Sequence, residues 1–226
     1  MLLLAEFLNP RDAQRASLAI NKLSAHGFRG VLTGSLAAEV HLLSRGLKTE
    51  QRPLNDLDFV VESFASIPGS LADGFLVHHV HPHAPEGKML LQLIDPAQAL
   101  RIDLSRQFGA TLTRAERLRG LPVISLEDLI ARMTSLVLGH LSRGASIDRK
   151  HAHLFRRIAG LGDSAKMDAA WRDHGRSGTE TFHQAEQLAH ELLARHPELV
   201  ICDQYSAEIT LCPGDRPVRL FRRHYC

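Results

Sequence analysis

The feature that most constrains the fold of this chain is a strand, turn and helix pattern around Gly34. The apolar segment 28–33 ends in the pair Gly34-Ser35, and an Ala- and Leu-rich segment continues to Gly46. This pattern predicts a short buried strand, a tight turn and a helix that begins at Ser35. The polar segment 47–53 then predicts a charged loop.

A second strand is predicted over 54–61, where the sequence reads Leu-Asn-Asp-Leu-Asp-Phe-Val-Val. Side chains on a strand alternate between its two faces, so Asp56 and Asp58 share one face and Leu57 and Phe59 share the other. Two carboxylates beside a helix N-terminus form a place suited to a divalent metal ion and a phosphate group.

The composition excludes few functions. The chain has 226 residues, 44% hydrophobic and 23% charged, which is ordinary for a globular protein with one large domain or a core domain and a smaller one. A net charge of +2 does not indicate a nucleic-acid partner. The apolar segment 1–8 is too short for export or membrane spanning, and three cysteines without a signal peptide predict reduced thiols in the cytoplasm.

Three more strands and a first helix are predicted before residue 113. Asn9 and Pro10 form a typical helix start, and Gly27 ends that helix. The strands are predicted over the segments 75–80, 89–94 and 99–104. In the last of them the apolar residues alternate with Arg101, Asp103 and Ser105, so Asp103 lies on a polar face that can meet the face of the acid pair.

The C-terminal half has mainly helical signals. Ser125 and Asp128 have the spacing of a capping box, and a helical apolar period follows. Further helices are predicted over 147–158 and after Asp163-Ser164 and Thr179-Glu180, and a short hairpin over 199–201 and 208–211. We therefore predict an α/β fold with a mixed β-sheet flanked by helices over residues 1–115, and a mainly helical region over 116–226 that completes a cleft.

The ordered motifs resemble the nucleotidyltransferase superfamily with the DNA polymerase β-like fold, and within it the minimal nucleotidyltransferases and the AbiEii-type toxin branch. The resemblance covers roughly residues 28–155. The residues that carry it are Gly34 and Ser35 for the Gly-Ser motif, Asp56 and Asp58 for the acid pair, Asp103 for the third acid, and Arg52 for an Arg-x-x-x-Asp-x-Asp form.

Two positions depart from the pattern of that branch. Relatives continue the segment 123–131 with a Lys, where this chain has Met133 beside Arg132, and they often carry Asp-x-x-Asp where this chain has Asp148-x-x-His151. Both departures lie outside the three acids. They bear on substrate or phosphate binding more than on metal binding.

The resemblance implies transfer of a nucleoside monophosphate from an NTP to an acceptor hydroxyl on RNA, a small molecule or a protein. Asp56, Asp58 and Asp103 would be the catalytic acids and the ligands of Mg²⁺ or Mn²⁺. Gly34, Ser35 and Arg52 would bind the nucleotide. A regulatory partner protein is a further expectation, since the branch includes toxin–antitoxin pairs. The alternative is a non-catalytic nucleotide-binding or interaction module that kept the fold, which the substitution at Met133 favours.

Three other groups of residues have weaker signals. His78, His79, His81 and His83 suggest a zinc site, but Pro82 interrupts the strand that would present them. A second zinc site could be assembled from His224 and the three cysteines, Cys202, Cys212 and Cys226. Their spacing, however, lacks the Cys-x-x-Cys of a zinc knuckle. The basic segments 149–157 and 216–223 suit RNA phosphates or an ordinary solvated surface equally well.

Overall fold

The computed structural model describes residues 4–51, 53–54, 56–84, 88–175 and 181–201, and for 78–84 and 88–90 it describes the backbone alone. The described residues form two compact units. The first contains residues 4–107 and 115–123, and the second contains 108–114 and 124–201.

The first unit is built on a seven-stranded sheet. Its strands are β1 (Val31–Thr33), β2 (Asp56–Val61), β3 (Leu76–Ala84), β4 (Lys88–Asp95), β5 (Leu100–Arg106), β6 (Glu116–Leu118) and β7 (Leu121–Val123). Their order across the sheet is β3-β4-β5-β2-β1-β7-β6. The sheet is mixed, because β2 pairs with β5 and β1 pairs with β7 in parallel, whereas the other pairs are antiparallel.

Alternation along the central strands separates the core from the polar face. Leu100, Ile102 and Leu104 of β5 are fully buried, and so is Leu57 of β2. The residues between them are half-buried. This is the pattern that a strand with one face in a core should have, and it leaves a polar face on the two strands that carry the acids.

The described part of the first unit has two α-helices, besides three short 3₁₀ helices (Leu4–Glu6, Phe64–Ser66 and Gly69–Asp73). Helix α1 (Pro10–Ala25) begins as predicted, since the Asn9 side chain accepts a hydrogen bond from the Asp12 amide at 2.9 Å. Helix α2 (Gly34–Ser44) is buried along most of its length, including the polar residues Glu39 and His41. Helix α2 packs on β1 and β2, the two strands that precede and follow it.

The sequence patterns did not indicate the hairpin of β6 and β7. Its two strands have three residues each, and Pro122 lies inside the second. The turn between them places both Arg119 and Gly120 at positive φ, 48° and 91°. Two adjacent residues with positive φ are typical of the two-residue turn of a β-hairpin. The predicted scarcity of strands after about residue 113 therefore misses this hairpin.

The second unit is mainly helical, as predicted. Its helices are α3 (Leu126–Leu141), α4 (Arg149–Ile158), α5 (Ser164–His174) and α6 (Phe182–Arg195), and α3 packs against each of the other three. A short parallel pair, β8 (Ile147–Asp148) and β9 (Val200–Ile201), joins two distant segments.

The predicted helix over 147–158 begins two residues later, because Ile147 and Asp148 pair with β9. The predicted start at Thr179-Glu180 lies outside the described residues. Helix α6 begins at Phe182, where Thr181 and Gln184 form a capping box. The second strand of the predicted hairpin, 208–211, also lies outside them.

The α/β class and the mainly helical C-terminal half are confirmed. The predicted cleft between residues 1–115 and 116–226 stays a prediction. Within the described parts of the chain, every helix is too short or too polar to cross a lipid bilayer.

Candidate active site

The three predicted acids lie on two neighbouring strands in matched register. Strand β2 runs parallel to β5, with Asp56 opposite Arg101 and Asp58 opposite Asp103. Directly paired residues point to the same face of a sheet, so the acid pair, Asp103 and Arg101 share the polar face. The predicted meeting of Asp103 with the acid pair therefore has a structural basis in the pairing of β2 with β5.

The Gly34 turn brings the start of α2 against this face. Strand β1 is antiparallel to β2 and places Thr33 opposite Asp58. Gly34 follows with φ of 69°, a backbone conformation that glycine adopts readily and other residues rarely do. A Cβ atom on Gly34 would overlap the carboxylate of Asp58. Glycine is thus required here both by the backbone angle and by the approach of the acid.

Helix α2 begins one residue earlier than predicted. Thr33 takes the N-cap position, and its side chain makes no capping hydrogen bond. Ser35 lies in the first turn and is half-buried. The amides of a first turn lack partners within the helix and carry the positive end of its dipole, which favours an anion in this position.

Arg101 is the functional candidate that the sequence patterns did not single out. Its Nη2 donates a hydrogen bond to Oδ2 of Asp56, and its Nε lies 3.2 Å from Oδ1 of Asp103. The Nε–H is not aligned for a hydrogen bond with that oxygen, and it has no hydrogen-bond partner elsewhere in the described part of the chain. One guanidinium therefore connects two of the three acids.

The charge of Arg101 is matched to its surroundings. Burial disfavours its charged form, but the carboxylates of Asp103 and Asp56, and then of Asp58, outweigh that effect and raise the pKa of Arg101 above its ordinary value. The side chains remain partly open to solvent, with exposed fractions of 26% for Arg101, 18% for Asp56 and 14% for Asp103. All three side chains are therefore in contact with solvent.

Gln92 supports the third acid from the other side. It lies on β4 opposite Asp103, and its Nε2 donates a hydrogen bond of 3.2 Å to Oδ2 of Asp103. Asp103 thus lies between an amide and a guanidinium. Both contacts hold its carboxylate on the polar face of the sheet.

The acids suit a divalent metal ion by their chemistry. Carboxylate oxygens are the hard ligands that Mg²⁺ and Mn²⁺ prefer, and this group already holds one cation, the Arg101 guanidinium. Within the residues that the structure describes, no group of three or more His, Cys, Asp or Glu side chains is arranged to hold a metal ion. In this structure two of the acids, Asp56 and Asp103, contact the Arg101 guanidinium.

The other predicted ligands are distributed as follows. Arg52 lies outside the described residues, as do Cys202, Cys212, His224 and Cys226. The backbone that carries His78, His79, His81 and His83 belongs to β3, but their side chains are outside the described part of the chain. The predictions for these residues stay predictions.

The two departures from the family pattern lie in the second unit. Met133 is buried, with 6% of its surface exposed, so this position contributes to the core of α3. The ring Nδ1 of His151 lies 4.0 Å from Oδ2 of Asp148 at the start of α4.

A charged network at the start of α3 was also not predicted. Asp128 is fully buried and accepts hydrogen bonds from Arg114 at 2.5 and 2.9 Å and from the Ser125 hydroxyl at 2.5 Å. The Nε2 of His174 lies 2.9 Å from Oδ1 of the same carboxylate. Although burial favours the neutral acid, the hydrogen bonds from Arg114, His174 and Ser125 hold the pKa of Asp128 well below its ordinary value.

This network replaces the predicted reciprocal capping box. The Ser125 hydroxyl accepts from the Asp128 amide at 3.1 Å, which is one half of such a box. The Asp128 carboxylate instead accepts from the Ser125 hydroxyl and binds Arg114. The network therefore stabilises the start of helix α3.

No family model and no curated protein matches the sequence. Among solved structures, a proposed nucleotidyltransferase from H. pylori matches with a TM-score of 0.36 and 14% identity over 84% of this chain and 95% of that chain. The protein JHP933 from Helicobacter pylori matches with the same TM-score and identity over 85% and 93%. A TM-score this low carries no inference about function.

Proposed function

We propose that this chain is a metal-dependent nucleotidyltransferase that moves a nucleoside monophosphate from an NTP to an acceptor hydroxyl and releases pyrophosphate. The observation that carries the proposal is the register of β2 and β5, which puts Asp56, Asp58 and Asp103 on one face beside the Gly34 turn. Acid residues and a helix N-terminus provide the two kinds of contact that a metal-bound triphosphate needs.

Each residue has a role in this proposal. Asp56 and Asp58 would hold the divalent ions, and Asp103 would also accept the proton of the acceptor hydroxyl. The amides around Gly34 and Ser35 would bind the triphosphate, with the Ser35 hydroxyl as a further donor. When bound, Mg²⁺ or Mn²⁺ would neutralise phosphate charge and lower the pKa of the acceptor hydroxyl.

The proposal extends to the acceptor molecule and to a partner protein. RNA, a small molecule and a protein side chain all offer a hydroxyl to this chemistry. The resemblance to the AbiEii-type toxin branch favours RNA and a regulatory partner protein.

Incubation with α-labelled NTPs and each acceptor class, with Mg²⁺ or Mn²⁺, tests the reaction. Transfer of label by wild-type protein and its loss in Asp58→Asn support it, and no label on any acceptor contradicts it.

A non-catalytic nucleotide-binding module is the second candidate function. The buried Met133 favours it, because a thioether in the core cannot provide the cation that relatives place there. The intact acids oppose it. NTP binding without pyrophosphate release, across all three acceptor classes, would decide for the module.

A further inference from the structure

The positive charge that lies between Asp56 and Asp103 is the guanidinium of Arg101, a side chain of the protein itself. The guanidinium of Arg101 touches Asp56 and Asp103, and Asp58 contributes to its electrostatic stabilisation. A divalent ion that uses the oxygens of Asp56 and Asp103 requires the same space and the same negative charge. The two cations therefore compete for one position.

We propose that Arg101 is an internal counterion of these acids, and that a divalent ion binds Asp56 and Asp103 only by displacing its guanidinium. The proposal rests on the proposed function, because it assigns metal binding to these acids. Arg101 then acts as a positioning residue that keeps the carboxylates together before the metal arrives.

The geometry of Arg101 suits an exchangeable contact. Its Nε has no hydrogen-bond partner within the described residues, although five N–H groups are available to a guanidinium. Its side chain is 26% exposed, so it has room to move toward solvent. An arginine with every N–H satisfied in a closed core would be displaced far less readily.

The Arg101 guanidinium also reduces the electrostatic repulsion between the acids when no metal ion is bound. Asp58 and Asp103 lie directly opposite each other on adjacent strands, and Asp56 lies two residues away. Like charges at such positions repel each other, and the repulsion grows as water is excluded. The guanidinium reduces this repulsion, which explains why an arginine occupies the strand position next to a catalytic acid.

Mn²⁺ titration of the nucleotide-free full chain tests the proposal. We compare wild type with Arg101→Gln, and use Arg106→Gln as the matched control because Arg106 is exposed at the end of the same strand. The double variant Asp56→Asn/Asp58→Asn gives the background from other Mn²⁺-binding side chains. Removal of the competing charge should tighten Mn²⁺ binding about tenfold in Arg101→Gln and leave Arg106→Gln unchanged.

Thermal unfolding separates this role from a purely structural one. In EDTA, Arg101→Gln should unfold at a lower temperature than wild type, because Asp56 and Asp103 have lost the guanidinium that contacts them. Saturating Mn²⁺ should restore most of the difference. A residue needed only for packing would lower the midpoint equally with and without Mn²⁺, and that result overturns the proposal.

Arg101→Lys keeps the test decisive if Arg101→Gln does not fold. A lysine ammonium retains the charge but cannot bridge two carboxylates with a planar fork, so Mn²⁺ should bind it a few-fold more tightly than wild type. Unchanged or weaker Mn²⁺ binding in the folded Arg101 variants overturns the proposal, and NTP transfer by wild type would then leave the proposed function intact. No Mn²⁺ binding above background in wild type or in any variant would contradict both.

Discussion

Gly34 is the residue at which the backbone and the acids constrain each other most directly. Any other residue at this position must adopt a backbone φ of 69°, and its Cβ must meet the Asp58 carboxylate. We expect Gly34→Ala to lose about 1–2 kcal/mol of unfolding free energy from the left-handed backbone, and to lose NTP binding because Asp58 must move. Urea unfolding and NTP titration measure the two effects.

Gly46 provides the matched control for this variant. It has the same φ of 69°, but a Cβ there would meet no atom within 4 Å. Gly46→Ala should therefore show the backbone cost and keep NTP binding. Equal NTP binding in Gly34→Ala and wild type would show that the turn has no role in the site.

At this scale the sequence predicted the acids better than their partners. Alternation of apolar and polar residues was enough to place Asp56 and Asp58 on one face and Asp103 on a polar face. It was not enough to predict the role of Arg101, because that role depends on the register between two strands 45 residues apart in the sequence. Register is set by pairing across the sheet, which a single strand does not encode.

Among the elements, helix α3 depends on the buried carboxylate at its start. Replacing Asp128 with Asn leaves the Arg114 guanidinium without its main partner, although Asp173 still contacts it at 2.6 Å. We expect Asp128→Asn to lower the free energy of unfolding by roughly 3 kcal/mol. Chemical denaturation measures this loss.

Asp163 is the control for a helix-start acid that is not buried. It caps α5 by accepting from the Ala165 amide at 3.0 Å, and asparagine caps helices about as well as aspartate. Asp163→Asn should therefore stay close to wild type. A similar small effect in Asp128→Asn would contradict the importance of the buried network.

Element types were largely predictable, and the errors have local causes. The N-cap of α1 follows from Asn9 and Pro10, where one short-range signal decides the structure. The β6–β7 hairpin was missed because each strand has three residues and gives no measurable period. Strand β8 was read as helix because its pairing with β9 spans more than 50 residues of sequence.

For the molecule as a whole, the buried network predicts how stability changes with pH. Burial, only partly opposed by Asp128, lowers the pKa of His174 below its ordinary value near 6.5. The unfolded chain therefore takes up this proton before the folded chain does. We expect the free energy of unfolding to be largest above about pH 6.5 and to fall as the pH falls toward the lowered pKa.

His174→Gln tests this assignment. The variant should lose part of the decrease in stability that begins as the pH falls below about 6.5, whereas His183→Gln, at an exposed position of α6, should keep it. Below about pH 4 both variants should lose stability further as Asp128, whose pKa is also lowered in the folded chain, becomes protonated in the unfolded state. An unchanged slope in His174→Gln would contradict the assignment.

The order of strands was the part of the whole fold that sequence patterns could not supply. The strands β2, β3, β4 and β5 were each predicted, but their order across the sheet was not. Strand β5 pairs with β4 on one side and with β2 on the other. That placement brings Asp103 to the acid pair. It depends on which apolar faces pack together in the whole sheet, which is a property of the folded chain.

The most direct test of the central claim is isothermal titration of the four NTPs in Mg²⁺ against wild type and Asp56→Asn/Asp58→Asn. Asp73→Asn, at an exposed position of the same unit, is the control. Wild type and control should bind at least one NTP, and the double variant should bind it at least about tenfold more weakly because the metal that holds the phosphates has lost its ligands. Equal binding by all three proteins, or no binding by folded wild type, would contradict the assignment of the acids and the Gly34 turn as a nucleotide site.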